Sequence, residues 1–87
     1  TANALDIYEV KAYPNPYADT FKLDVNTSSE GQVGVRVYDM LGREVESREA
    51  SVDNITNLEI GSRYPSGVYN IIVTQGDNVK TLRVIKR

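Results

Sequence analysis

Apolar and polar positions alternate with a period of two along most of the chain, and no segment keeps a period near 3.6 over a helical length. Turn chemistry breaks the alternation at intervals of roughly ten residues, which predicts an all-β chain of short antiparallel strands. Residues 7–13 form the first predicted strand. Pro14-Asn15-Pro16 ends it, because two pyrrolidine rings fix φ and remove two amide donors from any ladder. Residues 20–26 place Phe21, Leu23 and Val25 on one face and Lys22 and Asp24 on the other, ahead of a turn at 27–31. Residues 32–39 turn Val33, Val35 and Val37 inward, with Gly34, Arg36 and Tyr38 outward.

Met40-Leu41-Gly42 offers a tight turn in which Gly42 is free to take positive φ, and residues 43–49 return as the second half of a hairpin. That return strand is mostly charged, as an edge strand should be, and 50–54 reads as a connection. Residues 55–60 are predicted as a short strand with Leu58 and Ile60 facing in. The loop at 61–67 carries two Gly, one Pro and two Ser and leads into the most apolar segment, 68–74. There Tyr69, Ile71 and Val73 share a face while Ile72 lies opposite, as in a central strand. After a turn at 75–78, residues 79–86 close the fold with Leu82 and Val84 on one face and Ile85 on the other. About seven short strands predict a single immunoglobulin-like antiparallel β-sandwich, with Leu23, Val35, Val37, Leu58, Tyr69, Ile71, Val73 and Leu82 in its core. Residues 1–6 read as a linker stub ahead of a domain spanning 7–87.

Composition narrows the function more than the fold. The apolar share of 40% with 25% charged residues is ordinary for a soluble globular chain. The 87 residues include no Cys, His or Trp. That removes disulfides, thiol nucleophiles, the usual zinc sites and any Ser-His or Cys-His pair, and it predicts a domain with no catalytic site, metal or cofactor. The longest apolar run, Ile71-Ile72-Val73, is far short of the roughly 20 residues that cross a bilayer, and the amino end lacks a basic-then-apolar signal. No direct membrane insertion is expected. The net charge of −2 hides an uneven layout. Residues 1–79 hold all twelve acids and six of the ten bases, whereas 80–87 hold Lys80, Arg83, Lys86 and Arg87 with no acid. The acidic body disfavours nucleic acid. By composition alone the basic end reads as a guard on an edge strand, with a recognition tag as the sharper alternative.

Other constellations carry less. Asp24-x-Asn26-x-Ser28 resembles the start of a calcium loop, but Ser29 and Val35 stand where an EF-hand loop needs Gly and Glu. Two glycosylation sequons, at Asn26 and Asn54, are short enough to arise by chance. Glu44 and Glu46 are expected on one strand face, about 7 Å apart by strand rise, and read as a solvated edge rather than an acid-base pair. Tyr8, Tyr13 and Tyr17 cluster at the first corner, where they could form a sugar-stacking platform or simply plug the sandwich.

The ordered series is more informative than any one residue: Tyr13-Pro14-Asn15-Pro16-Tyr17, then Val35-Arg36-Val37-Tyr38-Asp39-Met40-Leu41-Gly42-Arg43-Glu44-Val45, then Pro65-Ser66-Gly67-Val68-Tyr69-Asn70-Ile71-Ile72-Val73, then Leu82-Arg83-Val84-Ile85-Lys86-Arg87. This series resembles the type A C-terminal sorting domain of the type IX (Por) secretion system of Gram-negative bacteria, from Tyr13 to Arg87. Position by position, Pro14, Asn15 and Pro16 match the family's corner, Gly42 its hairpin glycine, Gly67 and Tyr69 its Gly-x-Tyr strand start, and Lys86 and Arg87 its basic terminus. Tyr17 and Arg87 depart slightly, since Phe or Thr and a final Lys are commoner there.

The resemblance implies an address rather than a catalyst. A covalently linked N-terminal cargo would cross the periplasm and be passed through the outer membrane to the cell surface or medium. The expected partners are the outer-membrane translocon, a shuttle protein and a sortase. The sortase would typically cut in or before residues 1–6 and join the cargo to anionic lipopolysaccharide. The tail is expected to make the direct contact, so that deleting Lys86-Arg87 would block export and barely move the melting temperature. The immunoglobulin-like module of the flagellar hook-capping protein is similar in pattern, but it usually carries a Trp-Asp-Gly stretch and this chain has no Trp. The alternative outside that system is a structural or carbohydrate-binding accessory module of a secreted protein.

Overall fold

The computed structural model describes residues 7–87, so the predicted stub at 1–6 lies outside the described residues. Six strands and one short helix follow in the order β1 (Tyr8–Tyr13), β2 (Lys22–Thr27), β3 (Val33–Tyr38), β4 (Glu44–Ala50), α1 (Val52–Thr56), β5 (Gly67–Gln75) and β6 (Asn78–Lys86). They build two antiparallel sheets, a two-stranded β1-β2 and a four-stranded sheet in the order β4-β3-β5-β6. β5 is central, as its two-sided apolar pattern predicts, and the charged β4 is an edge.

The period-2 pattern explains the core. Val10 of β1, Leu23 and Val25 of β2, Val33, Val35 and Val37 of β3, Tyr69, Ile71 and Val73 of β5 and Val84 of β6 all point into one buried cluster. Leu58 and Leu82, two of the predicted core residues, pack against that cluster partly buried. The mostly-β architecture with two sheets stands as predicted, but the seventh strand does not. Residues 52–56 form a one-turn helix, capped by the Ser51 hydroxyl, which accepts from the Asn54 N–H at 3.4 Å. The helix drops Ile55 completely into the core. Only Ile60 of the predicted 55–60 strand keeps a ladder contact, exchanging both backbone hydrogen bonds with Phe21 at 2.9 and 3.0 Å. Two β-branched residues and an alternating 58–60 segment imitate a strand, while a five-residue helix is too short to show its own period.

A register shift between Val37 and Tyr38 changes the carboxylate geometry expected for β4. Tyr38 pairs with Glu44 and Val37 with Glu46, so Val45 is left over at the bulge. Glu44 therefore lies by Arg36 on the outer face, 3.9 Å away, whereas Glu46 turns inward to accept from the Tyr64 hydroxyl. The two carboxylates serve opposite faces and do not form a pair.

The far end of the two-sheet domain is tied by Gln75, a buried polar side chain. Its Nε2 donates to the Gly31 carbonyl at 2.7 Å and its Oε1 accepts from the Thr27 hydroxyl at 2.6 Å, fastening the 27–31 turn to the end of β5. Ile7 enters the fold at this same end, donating its N–H to Ser28 Oγ and accepting from the Ser28 N–H.

Candidate functional site

Strand direction places the sequence motifs. β1 runs from the Ile7 end toward the Pro14-Asn15-Pro16 corner, and β5 starts at Gly67 beside Lys86 and runs back to Gln75. The pairs Tyr38 with Asn70 and Asn70 with Arg83 mark a line across the four-stranded sheet. Beyond that line lie the 39–43 hairpin tip, the 65–69 strand start and the end of β6, with the corner against it. All eight singled-out residues, Pro14, Asn15, Pro16, Gly42, Gly67, Tyr69, Lys86 and Arg87, thus gather at one pole. The nine residues of β5 separate it from the Ile7 end by about 26 Å at strand rise, in a body 41 Å long.

At this pole the corner and the carboxyl end are physically joined. The Asn15 side chain mimics a strand edge: its Nδ2 donates to the Arg83 carbonyl at 2.9 Å and its Oδ1 accepts from the Ile85 N–H at 3.1 Å. Tyr17 continues the edge as a one-residue parallel bridge, its N–H bonding to the Ile85 carbonyl at 2.8 Å and its carbonyl accepting from the Arg87 N–H at 2.9 Å. Lys86 closes the clamp, with Nζ donating to the Ala18 carbonyl at 2.6 Å and lying 5.7 Å from the centre of the Tyr17 ring. The prolines make this possible. Residues that cannot take part in a ladder end β1, and Asn15 between them covers backbone that would otherwise be an open edge.

Tyr17 is the anchor: absent from the predicted core residues, it is the one of the three corner tyrosines that acts as the plug the sequence allowed. It is 0% exposed, packs edge-on against Phe21 at 5.0 Å, and donates its hydroxyl to the Gly61 carbonyl at 3.2 Å. Gly61 sits at φ +91 directly under that hydroxyl, where a Cβ would collide with it. Burial, followed by the neighbouring Tyr69 and Glu46, pushes the Tyr17 hydroxyl up to about 12. The tyrosine platform consequently does not exist as a group. Tyr8 donates its hydroxyl to the Val73 carbonyl at 2.7 Å, Tyr17 is enclosed, and Tyr13 alone of the three is exposed.

The other motifs shape the same pole. In the hairpin, Gly42 takes φ +81 and Asp39 holds the tip, its Oδ1 accepting from the Leu41 and Arg43 N–H groups at 2.9 and 3.0 Å and its Oδ2 from Arg43 Nε at 2.8 Å. Tyr69 is buried at the start of β5, stacks on Tyr64 at 4.9 Å and donates to the Pro65 carbonyl at 2.6 Å, which folds the loop before Gly67 onto the strand. The four basic residues of the carboxyl end do not form one patch. Even positions of β6 face the core side, as Val84 does, so Lys80 and Lys86 point one way and Arg83 and Arg87 the other. Among the described residues no group of three or more Asp or Glu is placed to hold a metal ion.

The chain matches the secretion system C-terminal sorting domain family over residues 11–87. It is 33% identical over 78 residues to an endo-acting ulvan lyase of Formosa agariphila, a match that covers 90% of this chain and 14% of the lyase. Its fold superposes on the crystal structure of dimeric latent PorU from Porphyromonas gingivalis with a TM-score of 0.56 and 25% identity, covering 97% of this chain and 10% of PorU. The chain thus spans a small fraction of each relative's length. Matching this family over residues 11–87, the chain belongs to the C-terminal sorting domains of the type IX (Por) secretion system.

Proposed function

We propose that the pole formed by the Pro14-Asn15-Pro16 corner, Gly42, Gly67, Tyr69, Lys86 and Arg87 is the surface the outer-membrane translocon recognises. The observation that carries this reading is the gathering of motifs distant in sequence at the end opposite Ile7, where the preceding chain enters. A large cargo attached there leaves the motif pole uncovered. Recognition rests on the folded pole as a whole, because Lys86 is already engaged with Ala18 and Tyr17 and leaves Arg87 and Arg83 as the outward charges. The cargo travels through the periplasm with the help of a shuttle protein. A sortase then releases it by cutting in or before residues 1–6 and joins it to lipopolysaccharide at the cell surface. A secreted polysaccharide-degrading enzyme is a fitting cargo, since the similar lyase has a region like this one over 14% of its length. We read the fold as an immunoglobulin-like sandwich short of one strand, supported by the single core shared by the two sheets.

The test is to fuse residues 1–87 behind an exported reporter in type IX-competent cells and determine the carboxyl terminus of reporter recovered from the surface. A terminus in or before residues 1–6 is expected, with Arg87→Glu lowering the surface fraction severalfold. Reporter held in the periplasm with the domain folded, or surface reporter unaffected by the charge reversal, contradicts the reading of the pole.

A further inference from the structure

The hairpin tip breaks the usual economy of a small surface. Met40 is 65% exposed and Leu41 77%, side by side, with Val45 behind them at 42%. A loose turn carrying two apolar side chains would be unremarkable, but this one is held. Three hydrogen bonds to the Asp39 carboxylate fix the Leu41 and Arg43 amides and the Arg43 guanidinium, and the Asp39 and Arg43 backbones bond across the base of the turn at 3.0 Å. The tip thus presents its two apolar side chains from a pre-ordered backbone, which lowers the entropy lost on contact. On one side the tip and the Pro65-Ser66-Gly67 loop line an open cleft of about 320 Å3, with Val45 and Val68 also in its lining.

We infer that Met40 and Leu41 form an apolar plug that inserts into an uncharged pocket on a protein of the type IX translocon, a claim that rests on the sorting reading above. Charge and area choose this occupant. The ionic groups beside the tip are paired within the domain, Asp39 with Arg43 at 2.8 Å and Arg36 with Glu44 at 3.9 Å, so the tip offers no net charge to an anionic lipid surface. Two side chains and a neighbouring valine expose a few hundred Å2, the size of an ordinary functional patch. A stable second copy would need about 800 Å2 from each partner. A contact this small suits a signal that must be gripped and then let go. The plug shares the pole with the clamp, so one partner can read both.

The test compares three forms of the whole chain fused to an exported reporter in type IX-competent cells: the natural sequence, Met40→Ser with Leu41→Ser, and Met40→Leu with Leu41→Met. Both side chains are exposed, so both double variants should melt close to the natural domain. The serine form is expected to lose tenfold or more of its extracellular reporter, while the exchanged form keeps it. If the natural chain itself is not exported, the sorting reading fails and the plug falls with it. With the natural chain exported, equal export of the serine form overturns the plug, and so does equal loss from both variants, because apolar character would then not be what is read. Concentration-dependent dimers, or binding to vesicles of phosphatidylethanolamine and lipopolysaccharide, that vanish in the serine form would also overturn it by naming a different occupant.

Discussion

Tyr17 shows how much of this domain depends on single side chains placed at a corner. Its ring fills core, its hydroxyl satisfies the Gly61 carbonyl, and its backbone pairs with the last strand. Tyr17→Phe removes one buried hydrogen bond and is expected to cost about 1–2 kcal/mol, read as a fall of several degrees in Tm for a domain of this size. Gly61→Ala is the harsher change. It adds a Cβ into the hydroxyl and demands a left-handed φ of an L residue, for about 3 kcal/mol. Chemical denaturation of the two variants checks the order. The hydroxyl also sets a pH dependence. An ordinary unfolded tyrosine titrates near 10, and Tyr17 in the fold near 12. The folded state therefore favours the neutral form, and its advantage is complete below pH 10 and lost as pH rises toward 12. The natural domain should lose stability across that window, and Tyr17→Phe should lose less.

The last strand and the hairpin behave as elements whose exposed backbone or apolar surface is managed by one polar residue each. Asn15 covers the β6 edge, so Asn15→Ala should expose the Arg83 carbonyl and the Ile85 N–H to water, at a cost of about 1 kcal/mol. Hydrogen exchange at Ile85 should accelerate, with little change at Ile71 in the core. In the hairpin, the Arg43 N–H first, then the Arg43 side chain and the Leu41 N–H, hold the Asp39 carboxyl below its usual range. Its contribution to ordering the tip is present above pH 4 and fades as pH falls through the lowered value, which amide shifts of Leu41 and Arg43 would follow. At this scale the sequence was legible wherever alternation was long. β1, β2, β3, β5 and β6 are visible in apolar residues that recur at alternate positions. The helix at 52–56 is not, because one turn has no period, and neither is the bulge that separates Glu44 from Glu46, because it adds one residue without altering composition. The motif residues could be named from their order alone. That Asn15 reaches Arg83 and Ile85 could not, since an asparagine between prolines looks the same whether it faces water or a strand edge.

Across the whole molecule, the corner, the hairpin tip, the Gly67 strand start and the basic end meet at one pole, and the preceding chain enters at the other. This changes the meaning of the basic end. Arg87 and Lys86 are not a loose tag, and their removal takes away the bond to Tyr17, the bond to Ala18 and the cation over the ring. Deleting them is expected to cost about 1–3 kcal/mol, so a secretion defect in that truncation would mix stability with recognition. Charge reversal at Arg87, whose side chain is exposed, separates the two.

The most direct measurement is the extracellular fraction of a reporter fused to the whole chain, compared between type IX-competent cells and otherwise identical cells lacking the outer-membrane translocon. The account predicts reporter outside the first and retained in the periplasm of the second. Equal amounts outside both, or retention in both with the domain folded, would contradict it.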